Sequence, residues 1–294
     1  MASESLAAAP LEPALEGEYN LRIRHPEREG VYREFAARSA DWYARAGGLR
    51  DQRYASGPRC LIDVFPALCG EAPSPLLVFI HGGYWRALNK EIFAFLAEAY
   101  NRAGIAVALV GYDLAPAVTL TQIVEQLEQA MRWLARSAAA LGVRSDGVVL
   151  SGHSAGGQLC GVLAGRTPEQ LGGLQVGGVA GISGVFDLRP LLHTSVNRDV
   201  RMSDDEVQRL SPIGFAHFEP SRFVLAAGAL ETDGFQQQSQ RFAQRLRELG
   251  HQVELMLVQG RTHFDVLDDL GSADAALFRA VRALLPAVSN GPSR

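Results

Sequence analysis

The pentapeptide Gly152-His153-Ser154-Ala155-Gly156 constrains this 294-residue chain more than any other stretch. It joins an apolar run, Val148-Val149-Leu150, to a segment of small residues that reads as a helix. A serine between two glycines in that setting is the G-x-S-x-G turn, which holds the hydroxyl proud of a sheet edge. So sharp a turn leaves no room for Cβ atoms at its flanks, and glycine removes them. The bland alternative is a tight strand–helix turn with an idle serine.

The flanking chain alternates strand-like and helix-like segments from Cys60 onward. Leu61–Phe65, Leu76–Ile80, Ile105–Val110, Val179–Ser183, Phe223–Ala227 and Val253–Val258 read as strands. Leu120, Ile123, Val124, Leu127, Met131 and Leu134 keep the 3/4 spacing of one helical face. Phe242, Leu246 and Leu249 mark a later helix, and Leu277, Val281, Leu284 and Leu285 a last one. This alternation predicts an α/β fold with a mostly parallel central sheet and helices on both faces.

We expect a single domain over residues 19–288, with residues 1–18 and 289–294 disordered. A charged stretch over about 186–220 interrupts the rhythm and reads as an insertion or small cap over the C-terminal sheet edge, where α/β ligands bind. A helical prelude carries Val31, Phe35, Ala36, Ser39, Trp42 and Tyr43.

Composition narrows the function classes. The net charge of −4 comes without a basic cluster, so nucleic-acid binding has no electrostatic support. Cys60, Cys69 and Cys160 form no C-x-x-C pair, which disfavours both a disulfide framework and structural zinc. No apolar run approaches a membrane span. The first residues carry acid where a signal peptide needs base, so a cytoplasmic location is expected. The oligomeric state, a homodimer included, is left open.

A serine hydroxyl needs a base, and the base an orienting carboxylate. In this chain order the acid and then the histidine follow the serine. His263 lies just beyond the last strand and is the candidate base; His193, His217 and His251 lack that position. Glu231, in the turn after Phe223–Ala227, is the candidate acid, with Asp233 as the alternative or as a helix N-cap. His81-Gly82-Gly83-Tyr84-Trp85 follows a central strand and suits an oxyanion hole. The expected donors are the N–H groups of Gly83, Tyr84 and Ala155, with His81 as a loop brace. Tyr84 and Trp85 are the candidate substrate-binding aromatics, with Trp85 alternatively packing the loop onto the sheet. The chemistry asks for a small-molecule substrate and no metal or organic cofactor.

His81-Gly82-Gly83-Tyr84-Trp85 resembles the H-G-G-x-W signature of kynurenine formamidases, the arylformamidase branch of the α/β-hydrolase superfamily. Tyr112–Pro116, Ile182–Leu188, Leu210-Ser211-Pro212, Phe235–Ser239 and Thr262-His263-Phe264 extend the resemblance from about Tyr19 to Leu285. Tyr84 departs from the H-G-G-G of the related hormone-sensitive-lipase group. The resemblance implies Ser154, Glu231 and His263 as the triad, although many members carry aspartate where Glu231 stands. It implies hydrolysis of N-formyl-L-kynurenine to formate and kynurenine, a step of tryptophan catabolism. A carboxylesterase acting on small aryl or acyl esters is the alternative. A silent hydrolase fold used for binding is a third reading, set against the presence of all three triad residues.

Overall fold

The computed structural model describes residues 10–288. Its eight strands are β1 Leu49–Arg53, β2 Leu61–Phe65, β3 Leu76–Ile80, β4 Ala106–Val110, β5 Val148–His153, β6 Val176–Ile182, β7 Arg222–Gly228 and β8 Gln252–Val258. They form one sheet in the order β1-β2-β4-β3-β5-β6-β7-β8. β2 runs antiparallel to β1 and β4, and every other pairing is parallel.

The helices are α1 Pro13–Tyr19, α2 Leu21–Arg24, α3 Arg28–Arg45, α4 Phe95–Arg102, α5 Leu120–Leu141 and α6 Ala155–Ala164. After them come α7 Ser195–Val200, α8 Asp204–Leu210, α9 Asp233–Glu248, α10 Val266–Leu270 and α11 Ala276–Leu284. Strand side chains divide by alternation between two cores. Leu76, Val78 and Ile80 of β3 pack with α5, α6 and α9, whereas Leu77 and Phe79 face α3, α4 and α11. The apolar stripe expected on α5 is buried as a set. Its ends carry a Thr119–Gln122 capping box and Gly142 in the left-handed region.

One expectation needs correction, and two features add to the sequence reading. Residues 1–9 and 289–294 lie outside the described residues, but residues 13–18, expected to be disordered, belong with Tyr19 to α1. α1 is tied down: Glu16 accepts from Ser195 N at 2.7 Å and Ser195 Oγ at 2.6 Å, and Thr232 Oγ1 donates to Glu18 O at 2.9 Å. β1 escaped the sequence reading because Leu49-Arg50-Asp51-Gln52-Arg53 is an almost fully exposed edge strand with no apolar pattern. The stretch between β6 and β7 folds into α7, α8 and two 3-10 turns, Arg189–His193 and Pro212–Gly214. Buried Glu206 pins α8 to the start of α5 by accepting from Thr121 N at 2.9 Å and Thr121 Oγ1 at 2.8 Å.

Candidate active site

β5 ends at His153, and α6 begins at Ala155, so Ser154 alone makes the turn. Its φ of +55° and ψ of −118° are strained for a residue with a Cβ. The glycines explain how the chain tolerates the geometry. A Cβ on Gly152 would sit 2.2 Å from Gly156 O, and one on Gly156 would sit 2.0 Å from Ile80 O. The turn is therefore pressed against the end of β3, from which the His81–Trp85 loop departs.

β7 and β8 carry the partners. Glu231 is buried in the turn after β7. Its Oε2 lies 2.8 Å from His263 Nδ1. Its Oε1 accepts from Gly228 N at 2.6 Å and from Ser183 Oγ at 2.5 Å. Three donors thus fix both carboxylate oxygens. Nδ1 of His263 is taken, which leaves Nε2 as the nitrogen available to a serine proton. The imidazole is packed by Phe235, with ring centroids 4.4 Å apart, and by Phe264 edge-on at 5.3 Å. Asp233 makes no such contact; it is exposed at the first position of α9, and Thr232, not Asp233, occupies the N-cap.

A cavity of about 340 Å³ brings Ser154 and His263 to one wall together with Gly83 and Tyr84. The backbone at Gly83, Tyr84 and Trp85 lies in the left-handed region, with φ of 107°, 49° and 56°. At Gly83 a Cβ would meet Ala87 O at 2.2 Å. Among the described residues, none of the N–H groups of Gly83, Tyr84 and Ala155 donates to a backbone carbonyl. Such unspent donors are what an oxyanion requires.

The two aromatics of this loop part company. Tyr84 lines the cavity while its hydroxyl donates to Tyr19 O at 2.5 Å. Trp85, a candidate for substrate contact or for packing, takes the packing role: it is fully buried and does not line the cavity. Its indole N–H donates to Gln158 Oε1 at 3.0 Å, and Gln158 Nε2 donates to Leu210 O at 2.7 Å. An indole placed beside α6 finds a hydrogen-bond acceptor there, and this couples the loop to the helix that follows the serine. Further along the same loop, buried Lys90 reaches Asp63 at 2.7 Å and Asp51 at 2.8 Å, which ties the loop to the antiparallel edge.

His81 is buried and stacked on Tyr112 at 4.3 Å, and its Nδ1 lies 2.7 Å from Gly82 O. Burial pulls its pKa down to about 4, so it is a neutral brace rather than a proton carrier. His193, His217 and His251 lie outside the cavity.

Several residues of the site went unread in the sequence. His153, between the elbow glycines, places Nε2 2.7 Å from His263 O and so buttresses the base's backbone. Burial first, and the neighbouring His263 second, hold His153 well below the ordinary histidine range. Ser183 is the second: it follows β6 in the left-handed region at φ 51° and grips Glu231. The quoted Ile182-Ser183-Gly184 run contained it, but nothing in that run named its partner. The far wall of the cavity belongs to Asn20, Leu21, Arg22, Arg28 and Tyr32, that is, to α2, α3 and the residue before them. The covering segment expected from the 186–220 insertion is supplied instead by the N-terminal helices.

Comparison with known proteins agrees with this architecture. Residues 77–214 match a family described as having the alpha/beta hydrolase fold. A kynurenine formamidase from Salmo salar is 28% identical over 228 residues, covering 75% of this chain and 76% of its own. One from Drosophila melanogaster is 28% identical over 241 residues, covering 78% and 79%. The crystal structure of a candidate thioesterase from a Silicibacter species superposes with a TM-score of 0.76 at 28% identity, covering 86% of this chain and 93% of that one. The chain has the α/β-hydrolase fold and is a hydrolytic enzyme, similar to kynurenine formamidases. No helix among the described residues is long and apolar enough to cross a membrane.

Proposed function

We propose that this α/β hydrolase cleaves an aryl formamide of the N-formylkynurenine kind through Ser154, His263 and Glu231. The carrying observation is the fixed chain from Ser183 and Gly228 through Glu231 to His263, ending at a cavity that Ser154 lines. Tyr32, Tyr84 and Phe264 give that cavity an aromatic lining suited to an aryl group. The similarity to kynurenine formamidases supports the choice of a formamide.

Ser154 Oγ attacks the formyl carbon as His263 Nε2 takes its proton. Glu231 holds the Nδ1–H tautomer and stabilises the imidazolium. The N–H groups of Gly83, Tyr84 and Ala155 receive the oxyanion. His263 then gives the proton to the departing aryl nitrogen, and the C–N bond breaks to leave a formyl-serine. Water, deprotonated by the same histidine, attacks the formyl carbon; formate leaves and the serine regains its proton.

The same acyl-enzyme chemistry serves oxygen esters and thioesters, and the candidate thioesterase neighbour favours this as the second reading. Specificity constants for N-formylkynurenine, p-nitrophenyl acetate and an acetyl thioester separate the two. Ser154→Ala and His263→Ala are each expected to lower turnover by on the order of 10³-fold or more, with the double variant little worse. Covalent labelling by a fluorophosphonate should vanish in Ser154→Ala. Persistent labelling there removes the serine mechanism, and a formamide turned over far more slowly than both esters removes the formamidase reading.

A further inference from the structure

The catalytic scheme uses the uncharged part of the cavity and leaves its cations unexplained. Arg22, Arg28 and Arg86 line it with a single carboxylate, Glu29. Arg28 is spent on structure: its guanidinium bonds Glu29 at 3.0 Å and the carbonyls of Arg22 at 2.8 Å and His25 at 3.1 Å. Arg86 differs. Its side chain is only 11% exposed, its Nε is buried without a partner, and its one counter-ion is Asp199 of α7, itself 58% exposed. Arg22 has no ion-pair or hydrogen-bond partner for its side chain among the described residues.

Resting on the formamidase reading, we propose that Arg86 and Arg22 form an anchor for a carboxylate carried by the substrate away from its scissile bond. A planar guanidinium with unspent N–H donors binds a carboxylate by paired, charge-assisted hydrogen bonds. One cation comes from the loop after the oxyanion glycines and the other from α2, so a bound carboxylate would bridge the two walls of the cavity. Without an anion the two cations oppose each other. Burial and the charge of Arg22 both lower the Arg86 pKa. A substrate carboxylate relieves that repulsion, so binding energy remote from the reacting carbon orients the aryl ring over Ser154.

The test compares N-formylkynurenine with its primary carboxamide, an isosteric neutral head group. The carboxylate substrate should be favoured in kcat/KM by roughly tenfold or more, the effect of about one charge-assisted hydrogen bond. The preference should reside mainly in KM and shrink at high salt. Arg86→Gln and Arg22→Gln should each reduce the ratio, Arg86→Lys should restore part of it, and Arg136→Gln, at an exposed position of α5, serves as the charge control. As a binding readout independent of formamide turnover, kynurenine should protect Ser154 from a neutral fluorophosphonate better than its carboxamide does. Arg22 is exposed, so its variant reports even where Arg86→Gln fails to fold. Equal constants and equal protection for the two head groups in the wild-type enzyme overturn the anchor, as does a ratio unmoved in both glutamine variants. A wild-type protein that does not label at all refutes the hydrolase mechanism instead, so the two failures are distinct.

Discussion

Glu231→Gln tests the site at its most constrained atom. Glutamine keeps the shape but replaces one acceptor oxygen with an N–H₂ donor. At the Oε1 position Gly228 N, 2.6 Å away, is a backbone donor that cannot turn around. Placing the amide nitrogen there sets donor against donor, at a cost of about 1–3 kcal/mol. The amide oxygen therefore stays at Oε1, where Ser183 also donates. The nitrogen then lies at Oε2, 2.8 Å from His263 Nδ1. To accept from it, Nδ1 must lose its proton, and the proton moves to Nε2, the nitrogen needed as base. A wrong tautomer of this kind costs about 10⁴-fold in kcat, or roughly 5.5 kcal/mol of barrier. KM and melting temperature should change little, since every buried polar atom keeps a partner. Steady-state kinetics with N-formylkynurenine or p-nitrophenyl acetate, alongside a thermal melt, measure all three. Asp233→Asn should leave kcat intact, because Asp233 is exposed and outside the network. A Glu231→Gln enzyme within tenfold of wild type would refute the reasoning, and a larger loss in Asp233→Asn would move the acid role there.

Gly156→Ala should lower stability by about 1–3 kcal/mol or more through overpacking, because the added Cβ would lie 2.0 Å from one backbone oxygen and 2.7 Å from another. A normal melting temperature with normal fluorophosphonate labelling would contradict the interlock of elbow and β3. His81 yields a pH dependence. Its folded pKa, about 4, lies below the ordinary 6.5, so its contribution is fully present above pH 6.5 and lost as pH falls toward 4. About two and a half pKa units at ~1.4 kcal/mol each amount to roughly 3 kcal/mol. Denaturant titrations from pH 7 to 4 should show that loss in wild type and a shallower one in His81→Asn; parallel curves would sink the assignment.

The core of the sheet was legible because β3 to β7 are apolar runs buried on both faces, and a short-range pattern records that condition. The positions of Ser154, Glu231 and His263 were legible for a related reason: each sits at a strand exit, so chain order stands in for space. What could not be read depends on contacts distant in sequence. Ser183 reaches Glu231 across 48 residues and His153 reaches His263 across 110, and neither partner leaves a local trace. β1 was invisible because its exposed, charged residues carry no alternation. The cavity's far wall was missed because α2 is a four-residue helix with no periodicity to detect. Trp85 shows why both roles stayed open: an aromatic adjacent to a site in sequence can face away from it in space.

The N-terminal helices give the molecule a division of labour. Every atom proposed to make or break bonds hangs from the sheet, whereas one side of the substrate's enclosure hangs from α2 and the start of α3. α1, which leads into that side, is fastened by polar contacts, Tyr84 to the Tyr19 carbonyl, Thr232 to the Glu18 carbonyl, Gly234 to the Glu18 carboxylate and Ser195 to Glu16, while buried Leu21 of α2 and Phe35 and Trp42 of α3 pack into the cores. Exposed positions of this segment, such as Arg22 and Glu29, can therefore change in size and charge without disturbing the strain at Ser154 or the clamp on Glu231, whereas buried Leu21, and Tyr32 packed on Phe264, hold it to the core. For anyone redesigning this hydrolase, those exposed positions are an interchangeable faceplate: a library confined to them would resample which molecules enter while leaving the reaction itself alone.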